Sequence, residues 1–121
     1  MKYLRMVSKY MDNRKDDKYY ASKSIEHITL IQKYSDNLTY EEFMADQKLN
    51  DSIMFRLIQL IENVKNISNE FKNANPQIPW GDIIGCRNGI VHEYAHTDYH
   101  SIYRILGNDL SELKETLEKI K

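Results

Sequence analysis

The sequence has few of the residues that build disulfide-bonded, turn-rich or membrane-spanning proteins. Its single cysteine, Cys86, cannot form a disulfide within the chain, so nothing requires an oxidising compartment. Four glycines and two prolines in 121 residues are too few for a turn-rich all-β protein. No apolar run approaches the roughly 18–20 residues of a membrane span, and residues 1–5 lack the apolar stretch of a signal peptide. We therefore expect a cytoplasmic protein.

The sequence also lacks an excess of basic residues. Its formal net charge is −1 and its pI is about 6.4. A protein that holds nucleic acid by charge alone is usually markedly basic. Any contact with nucleic acid must therefore be local, in a cleft, or assembled from several copies of the chain.

Length and composition predict one globular domain, because 41% of the residues are hydrophobic and 29% are charged. Residues 1–11 are weakly patterned, and we interpret them as a weakly ordered N-terminal extension, with a short frayed helix as the alternative. Met11 is a second possible start of the protein. Residues 12–121 then form the single helical domain.

Apolar residues recur every three or four positions in four long segments, which predicts four helices. The first covers about residues 16–37, and the second carries an apolar stripe from Ile53 to Phe71. The third begins near Trp80, which we expect to anchor its start, and the fourth follows Asp98 as a cap. Nothing alternates with period two over a useful length. The expected fold class is therefore all-α, an antiparallel bundle of four to five helices.

Local signals mark the ends of several helices. Thr39 and Glu42 have the spacing of a capping box, which predicts a short helix after the first long one. Residues 107–109 interrupt the last helical pattern. We expect a kink or a restart there, with Asp109 or Ser111 as the cap.

One segment, residues 86–94, brings four polar groups into a pattern that otherwise resembles core. They are Arg87, Asn88, His92 and Tyr94. Imidazole exchanges protons near neutral pH, and guanidinium binds phosphate in a bidentate manner. Together these groups can activate a ribose 2′-hydroxyl and stabilise the charge that develops on the phosphate, which is metal-free RNA cleavage. Asn88 can orient the histidine or the phosphate.

Helix geometry separates the members of this motif. Asn88 and His92 are four residues apart and share a face, and Arg87 and Tyr94 share one if the helix persists that far. Arg87 and His92 lie about 140° apart around the axis. A single site that uses both needs either a curled arginine side chain or a second copy of the helix. The second arrangement favours a dimer with the motif at its interface.

Other interpretations of the same residues remain open. Arg87 can be a surface ion-pair partner, with His92 simply at a helix C-terminus. His92-Glu93-x-x-His96 matches the H-E-x-x-H pattern of zinc proteases, although the match falls where the helical pattern ends. Glu62, beside the apolar stripe of the second helix, is either a solvated acid or the carboxylate that holds a catalytic cation.

Several motifs together resemble one known family. The pattern R-N-x-x-x-H-x-Y is met by Arg87, Asn88, His92 and Tyr94, and the residues before it, 78–85, resemble the lead-in of that family. Similar residues occur upstream, at 40–43 and 60–63, and downstream at 109–113, where Ser111 replaces a proline. With these motifs the sequence resembles the HepT-like ribonucleases of the HEPN superfamily, the toxins of HEPN/MNT toxin–antitoxin pairs.

The resemblance implies a fold, an activity and two partners. The family fold is an all-α bundle that forms a homodimer, with the motif helices facing one another. Arg87 and His92 would be the catalytic pair of a metal-independent endoribonuclease that uses no cofactor, with Asn88 as a support. Tyr94 matches the tyrosine to which a partner MNT-type nucleotidyltransferase, the antitoxin, adds AMP. A non-catalytic module that binds a nucleotide or a partner through the same helix is the alternative.

Overall fold

The computed structural model describes residues 16–92 and 99–120, with residues 91 and 92 described by their backbone alone. These stretches contain helices and no strand, which confirms the all-α prediction. The helical segments are α1 (Asp17–Ser35), α2 (Tyr40–Ala45), α3 (Gln47–Lys65), α4 (Asn69–Ala74), α5 (Trp80–His92), α6 (Tyr99–Arg104), a π-helical segment (Ile105–Asp109) and α7 (Leu110–Leu117). None of the described helices is long and apolar enough to cross a bilayer. The predicted N-terminal extension and the cap at Asp98 lie outside the described residues.

Helix α3 lies at the centre of the packing. It contacts α1 on one side and α5 on the other, and α7 packs against α1. The buried face of α3 consists of aliphatic side chains, all at most 3% exposed: Ile53, Met54, Leu57, Leu60, Ile61 and Val64. The apolar stripe that the sequence shows on this helix is therefore the centre of the core.

Two predicted helix starts are confirmed. The Thr39 hydroxyl accepts a hydrogen bond from the Glu42 backbone N–H at 3.1 Å, and the Glu42 carboxylate accepts one from the Thr39 N–H at 3.0 Å. Trp80 is buried at the start of α5, and its indole N–H donates to the carbonyl oxygens of Lys72 and Asn75 at 3.1 and 3.0 Å. The tryptophan thus ties α5 to the segment before it.

The expectation of one continuous second helix through Phe71 was wrong. Helix α3 ends at Lys65, and α4 begins after Ser68, whose hydroxyl accepts from the Phe71 N–H at 3.2 Å. The Asp17 carboxylate accepts two further bonds from Ser68, from its N–H at 2.8 Å and from its hydroxyl at 2.6 Å. Asp17 lies at the start of α1, so this contact fixes the antiparallel arrangement of α1 and α3.

The predicted kink near residues 107–109 is confirmed, and Asp109 occupies the predicted cap position before α7, although without a capping hydrogen bond. Gly107 has non-helical backbone angles, φ −83° and ψ −113°, inside the π-helical segment. The Asp109 side chain makes no capping hydrogen bond. The Ser111 hydroxyl instead accepts from the Gln32 amide at 3.2 Å. Ser111 therefore joins α7 to α1 rather than capping a helix.

The contact between Asp17 and Ser68 generates a stability prediction. We expect Asp17→Ala to lower the free energy of unfolding by about 2 kcal/mol, because two hydrogen bonds to a charged acceptor are lost. Urea denaturation measures the change. Asp36→Ala is the matched control, since Asp36 is exposed at the end of α1 and surface substitutions usually stay within about 0.5 kcal/mol. Equal effects of the two substitutions would contradict the assignment.

Candidate active site

Helix α5 carries three of the four predicted motif residues, Arg87, Asn88 and His92. Ile90 is buried against the core, while Arg87 is half-buried and Asn88 is exposed. The helix continues through His92, one turn beyond Asn88. The described part of the motif therefore lies on a turn of α5 that Ile90 anchors to the core.

Arg87 forms an ion pair with Glu62 of α3. Its Nε lies 2.8 Å from Glu62 Oε1, and the two side chains are 37% and 41% exposed. Nε is buried and its N–H is not aligned with an acceptor, so the contact is a charge pair rather than a hydrogen bond. Within the described residues, the two Nη nitrogens of Arg87 have no protein partner. They are the donors that remain for a ligand, and a guanidinium fork suits a phosphate.

The ion pair lies at the edge of a small recess between α3 and α5. The recess has a volume of about 170 Å³ and is lined by Ile61, Glu62, Lys65, Ile84, Arg87 and Asn88. Lys65 and Arg87 supply two positive charges against the one negative charge of Glu62. The recess is thus locally cationic on a chain whose formal net charge is −1, and Asn88 adds an amide that can donate hydrogen bonds.

The solvent face of α5 is formed by small residues. Gly81, Gly85 and Gly89 recur every fourth position, and all three are exposed, as is Asn88. A Cβ atom added at any of these glycines would meet no atom within 4 Å. Packing within one chain therefore does not require glycine at these positions. The face is flat, and another backbone can approach it closely.

Cys86 is adjacent to Arg87 but is poorly suited to be a nucleophile. Burial raises the pKa of its thiol, and the negative charge of Asp82, one turn earlier, raises it further. Because the thiolate is the reactive form of cysteine, a raised pKa leaves this group protonated and unreactive near neutral pH. Cys86 is therefore a poor candidate for a catalytic role.

The structure places some of the predicted site residues together and leaves others undescribed. Arg87, Asn88 and Glu62 line one recess, while for His92 only the backbone position is available. Tyr94 lies outside the described residues, as do Glu93 and His96 of the alternative zinc motif. The functional roles of all these residues stay predictions.

Sequence reasoning missed Lys65. This residue lies three positions after Glu62, so the two share one side of α3 and reach the same recess. The i, i+3 spacing of an acid and a base was visible in the sequence. Its relation to Arg87 was not, because it depends on the packing of α3 against α5.

The chain is similar to proteins of one family along most of its length. The family model described as "Ribonuclease HepT-like" matches residues 24–120. A Thermococcus cleftensis protein named "Probable ribonuclease HepT" is 29% identical over 108 residues, which cover 89% of this chain and 98% of that protein.

Two proteins of Methanocaldococcus jannaschii are also similar. One, named as a candidate RNase, is 28% identical over 112 residues, which cover 89% of this chain and 93% of that protein. The other, named as a gamma-glutamylcyclotransferase and candidate RNase, is 30% identical over 107 residues, which cover 88% of this chain and 48% of that protein. No solved structure matches the chain.

The exposure of the Glu62–Arg87 pair predicts a small contribution to stability. We expect Glu62→Gln to change the free energy of unfolding by less than about 1 kcal/mol, because half-exposed ion pairs are weakened by solvent. Urea denaturation measures this change. Glu70→Gln on α4 is the matched control, because Glu70 is exposed. A loss of about 3 kcal/mol or more would instead make the pair a structural bridge of the buried type.

Proposed function

This chain belongs to the HepT-like ribonuclease family, and on that premise we propose that it is the toxin of a type VII HEPN/MNT toxin–antitoxin pair. In this proposal it is an endoribonuclease that cleaves RNA without a metal ion, through Arg87 and His92. The observation that carries the proposal is the Arg87 guanidinium, held by Glu62 at the edge of an open cationic recess. His92 lies on the same helix, α5.

The proposed reaction is an internal transesterification. The His92 imidazole takes the proton from a ribose 2′-hydroxyl, and the 2′-oxygen attacks the adjacent phosphorus. The bond from phosphorus to the 5′-oxygen breaks, and that oxygen receives a proton from an imidazolium. The products are a 2′,3′-cyclic phosphate and a free 5′-hydroxyl. Arg87 stabilises the negative charge that develops on the phosphoryl oxygens, and Asn88 orients the phosphate or the histidine.

Glu62 acts in this scheme as a positioning residue. Its contact with Nε holds the arginine at the edge of the recess, while the two Nη nitrogens remain available for the phosphate. A charge pair at 2.8 Å also lowers the entropy that the long arginine side chain would lose on binding RNA. Lys65 compensates for the negative charge that Glu62 brings near the phosphate.

We further propose that the working enzyme is a homodimer. Arg87 and His92 are five residues apart on α5, which separates them by about 140° around an ideal helix axis. A second copy of α5 that packs alongside the first would bring the arginine of one chain near the histidine of the other. The proposal rests on this angular separation alone, because Gly81, Gly85 and Gly89 lie on the side of α5 roughly opposite Arg87.

Tyr94 is the proposed site of inactivation. A partner nucleotidyltransferase of the MNT type would transfer AMP from ATP to the tyrosine hydroxyl, with release of pyrophosphate. Because Tyr94 follows His92 by two residues, the added phosphate would lie beside the cleft and repel the RNA backbone. The antitoxin would thus silence the enzyme by charge and bulk.

The catalytic assignment predicts the loss of cleavage in two variants. We expect Arg87→Ala and His92→Ala each to lower the rate of RNA cleavage at least about 100-fold, since each removes charge stabilisation or proton transfer. The wild-type rate should be the same with and without EDTA. Cleavage is measured by gel electrophoresis of a labelled single-stranded RNA, with circular dichroism to confirm folding.

Lys33→Ala and His100→Ala are matched controls, because they remove a cation and a histidine elsewhere on the described surface. Mixing the two inactive proteins tests the shared site, since a mixed dimer retains one intact pair of Arg87 and His92 across two chains. Recovery of up to about half of the activity per mixed dimer supports that arrangement, and no recovery places both residues in one chain. Wild-type cleavage by both single variants would refute the catalytic proposal.

The inactivation proposal predicts a covalent change at one residue. We expect wild-type protein, co-expressed with an MNT-type nucleotidyltransferase, to gain the mass of one or more AMP groups, and Tyr94→Phe to gain none. Intact mass spectrometry measures the increments, and Tyr99→Phe is the control for a nearby tyrosine. Equal modification of Tyr94→Phe would show that another residue receives the AMP. Inhibition without any mass gain would indicate that the partner masks the enzyme by binding.

A further inference from the structure

Helix α3 presents an exposed aromatic side chain on the same side as Glu62, the partner of Arg87. Phe55 is 55% exposed, although its neighbours Met54 and Leu57 are buried. Phe55 precedes Glu62 by seven residues, which is nearly two helical turns, so both side chains leave α3 in almost the same direction. The two residues are about 10 Å apart along the helix axis.

Phe55 forms one wall of a recess between α1 and α3 that is distinct from the recess at Arg87. Its volume is about 300 Å³, and its lining residues are Tyr34, Asp51, Ser52, Phe55 and Arg56. Aromatic rings from two helices therefore face one open, partly polar space. That composition suits a flat ligand that can stack on a ring and form hydrogen bonds at its edge.

Arg56 supplies a positive charge in this recess, and Asp51 supplies a negative one. Its guanidinium carbon lies 6.0 Å from the centroid of the Phe55 ring, and its Nη1 lies 3.5 Å from His27 Nδ1. Burial lowers the pKa of His27, and the charge of Arg56 lowers it further, so the imidazole is neutral at physiological pH. In the described part of the chain no carboxylate pairs with Arg56, and Asp51 accepts a bond from Gln47 at 2.8 Å.

We propose that Phe55 and Arg56 form an RNA-positioning site, at which an unpaired nucleobase stacks on Phe55 and a neighbouring phosphate binds Arg56. This inference rests on the proposed ribonuclease function and specifies its substrate as single-stranded RNA. Stacking on an exposed ring needs a base that is free of a duplex. With the base held there, the chain of the RNA runs along α3 toward Glu62 and presents a phosphate to Arg87.

RNA fits this surface better than a protein partner does. A stable protein interface buries about 800 Å² on each side, with an apolar centre. In the recess, Phe55 is the one exposed large hydrophobic side chain, and its neighbours include a serine, an aspartate and the guanidinium of Arg56. A ring beside a guanidinium is instead a combination by which proteins hold single-stranded nucleic acid.

The first test measures cleavage by Phe55→Ala. We expect the KM for a single-stranded RNA to rise about tenfold or more while kcat stays nearly unchanged, because stacking contributes to binding rather than to the chemical step. Phe55→Trp should retain the wild-type KM. Met44→Ala is the matched control, since Met44 is also an exposed hydrophobic residue, at 44%. An unchanged KM in Phe55→Ala, with Arg87→Ala inactive, overturns this inference and leaves the proposed function intact.

The second test measures binding and does not depend on cleavage. In Phe55→Trp, we expect unlabelled single-stranded RNA to quench the new tryptophan fluorescence, whereas a duplex of the same sequence does not. The native Trp80 is buried, and wild-type protein provides its background signal. Weaker RNA binding by Arg56→Gln, with a smaller dependence on salt, supports the phosphate contact.

Two outcomes separate this proposal from its competitors. If wild-type protein cleaves no RNA but Phe55→Trp is still quenched by it, the positioning site stands and the ribonuclease function fails. If Phe55→Ala instead changes the oligomeric mass in light scattering, the surface contacts another copy of the chain and the RNA site is refuted. Absence of quenching by single-stranded RNA refutes it as well.

Discussion

The burial of helix α3 on two sides is the constraint on which the rest of the structure depends. Helix α1 covers one side and α5 the other, and each fully buried aliphatic side chain contributes about 1.5–3 kcal/mol. Only a narrow strip of α3 remains open to solvent, and Phe55 and Glu62 both lie on it. The candidate site is therefore at the rim of the core, where side chains anchored by packing can still reach a large ligand.

The ion pair of Glu62 and Arg87 affects the orientation of the arginine more than it affects the stability of the fold. A half-exposed ion pair contributes little to folding, because water and salt compete with it. Its geometry nevertheless determines which nitrogens of the arginine are available, since Nε is engaged while the two Nη nitrogens are open within the described residues. A lysine could not divide its donors in this way, because its ammonium is a single point of charge.

Much of the fold could be predicted from the sequence because its signals are local. The capping box of Thr39 and Glu42 and the periodic stripe of α3 each depend on residues within a few turns. The break before Ser68 could not be predicted, since Ile67 and Phe71 continue the apolar pattern and the stabilising partner, Asp17, is 51 residues away.

The candidate site followed the same division between local and distant signals. The spacing of Arg87, Asn88 and His92 on one helix was evident from the sequence, and the family resemblance supplied their proposed roles. The contact of Glu62 with Arg87, the recess with Lys65 and the recess beside Phe55 all require two helices to be packed together. Glu62 and Lys65 lie 25 and 22 residues before Arg87, and Tyr34 lies 21 residues before Phe55. Each of these pairs joins two different helices, so no local pattern in the sequence connects them.

The tryptophan at the start of α5 has a consequence for how this chain can vary. Because the indole of Trp80 is bound to Lys72 and Asn75, the beginning of the helix is fixed in both position and rotation. Inserting or deleting one residue between Trp80 and Arg87 would turn the arginine by about 100° and shift it by about 1.5 Å. Glu62 would then lose its partner. Substitutions of exposed residues between Trp80 and Arg87 are thus compatible with the ion pair, whereas insertions and deletions there are not.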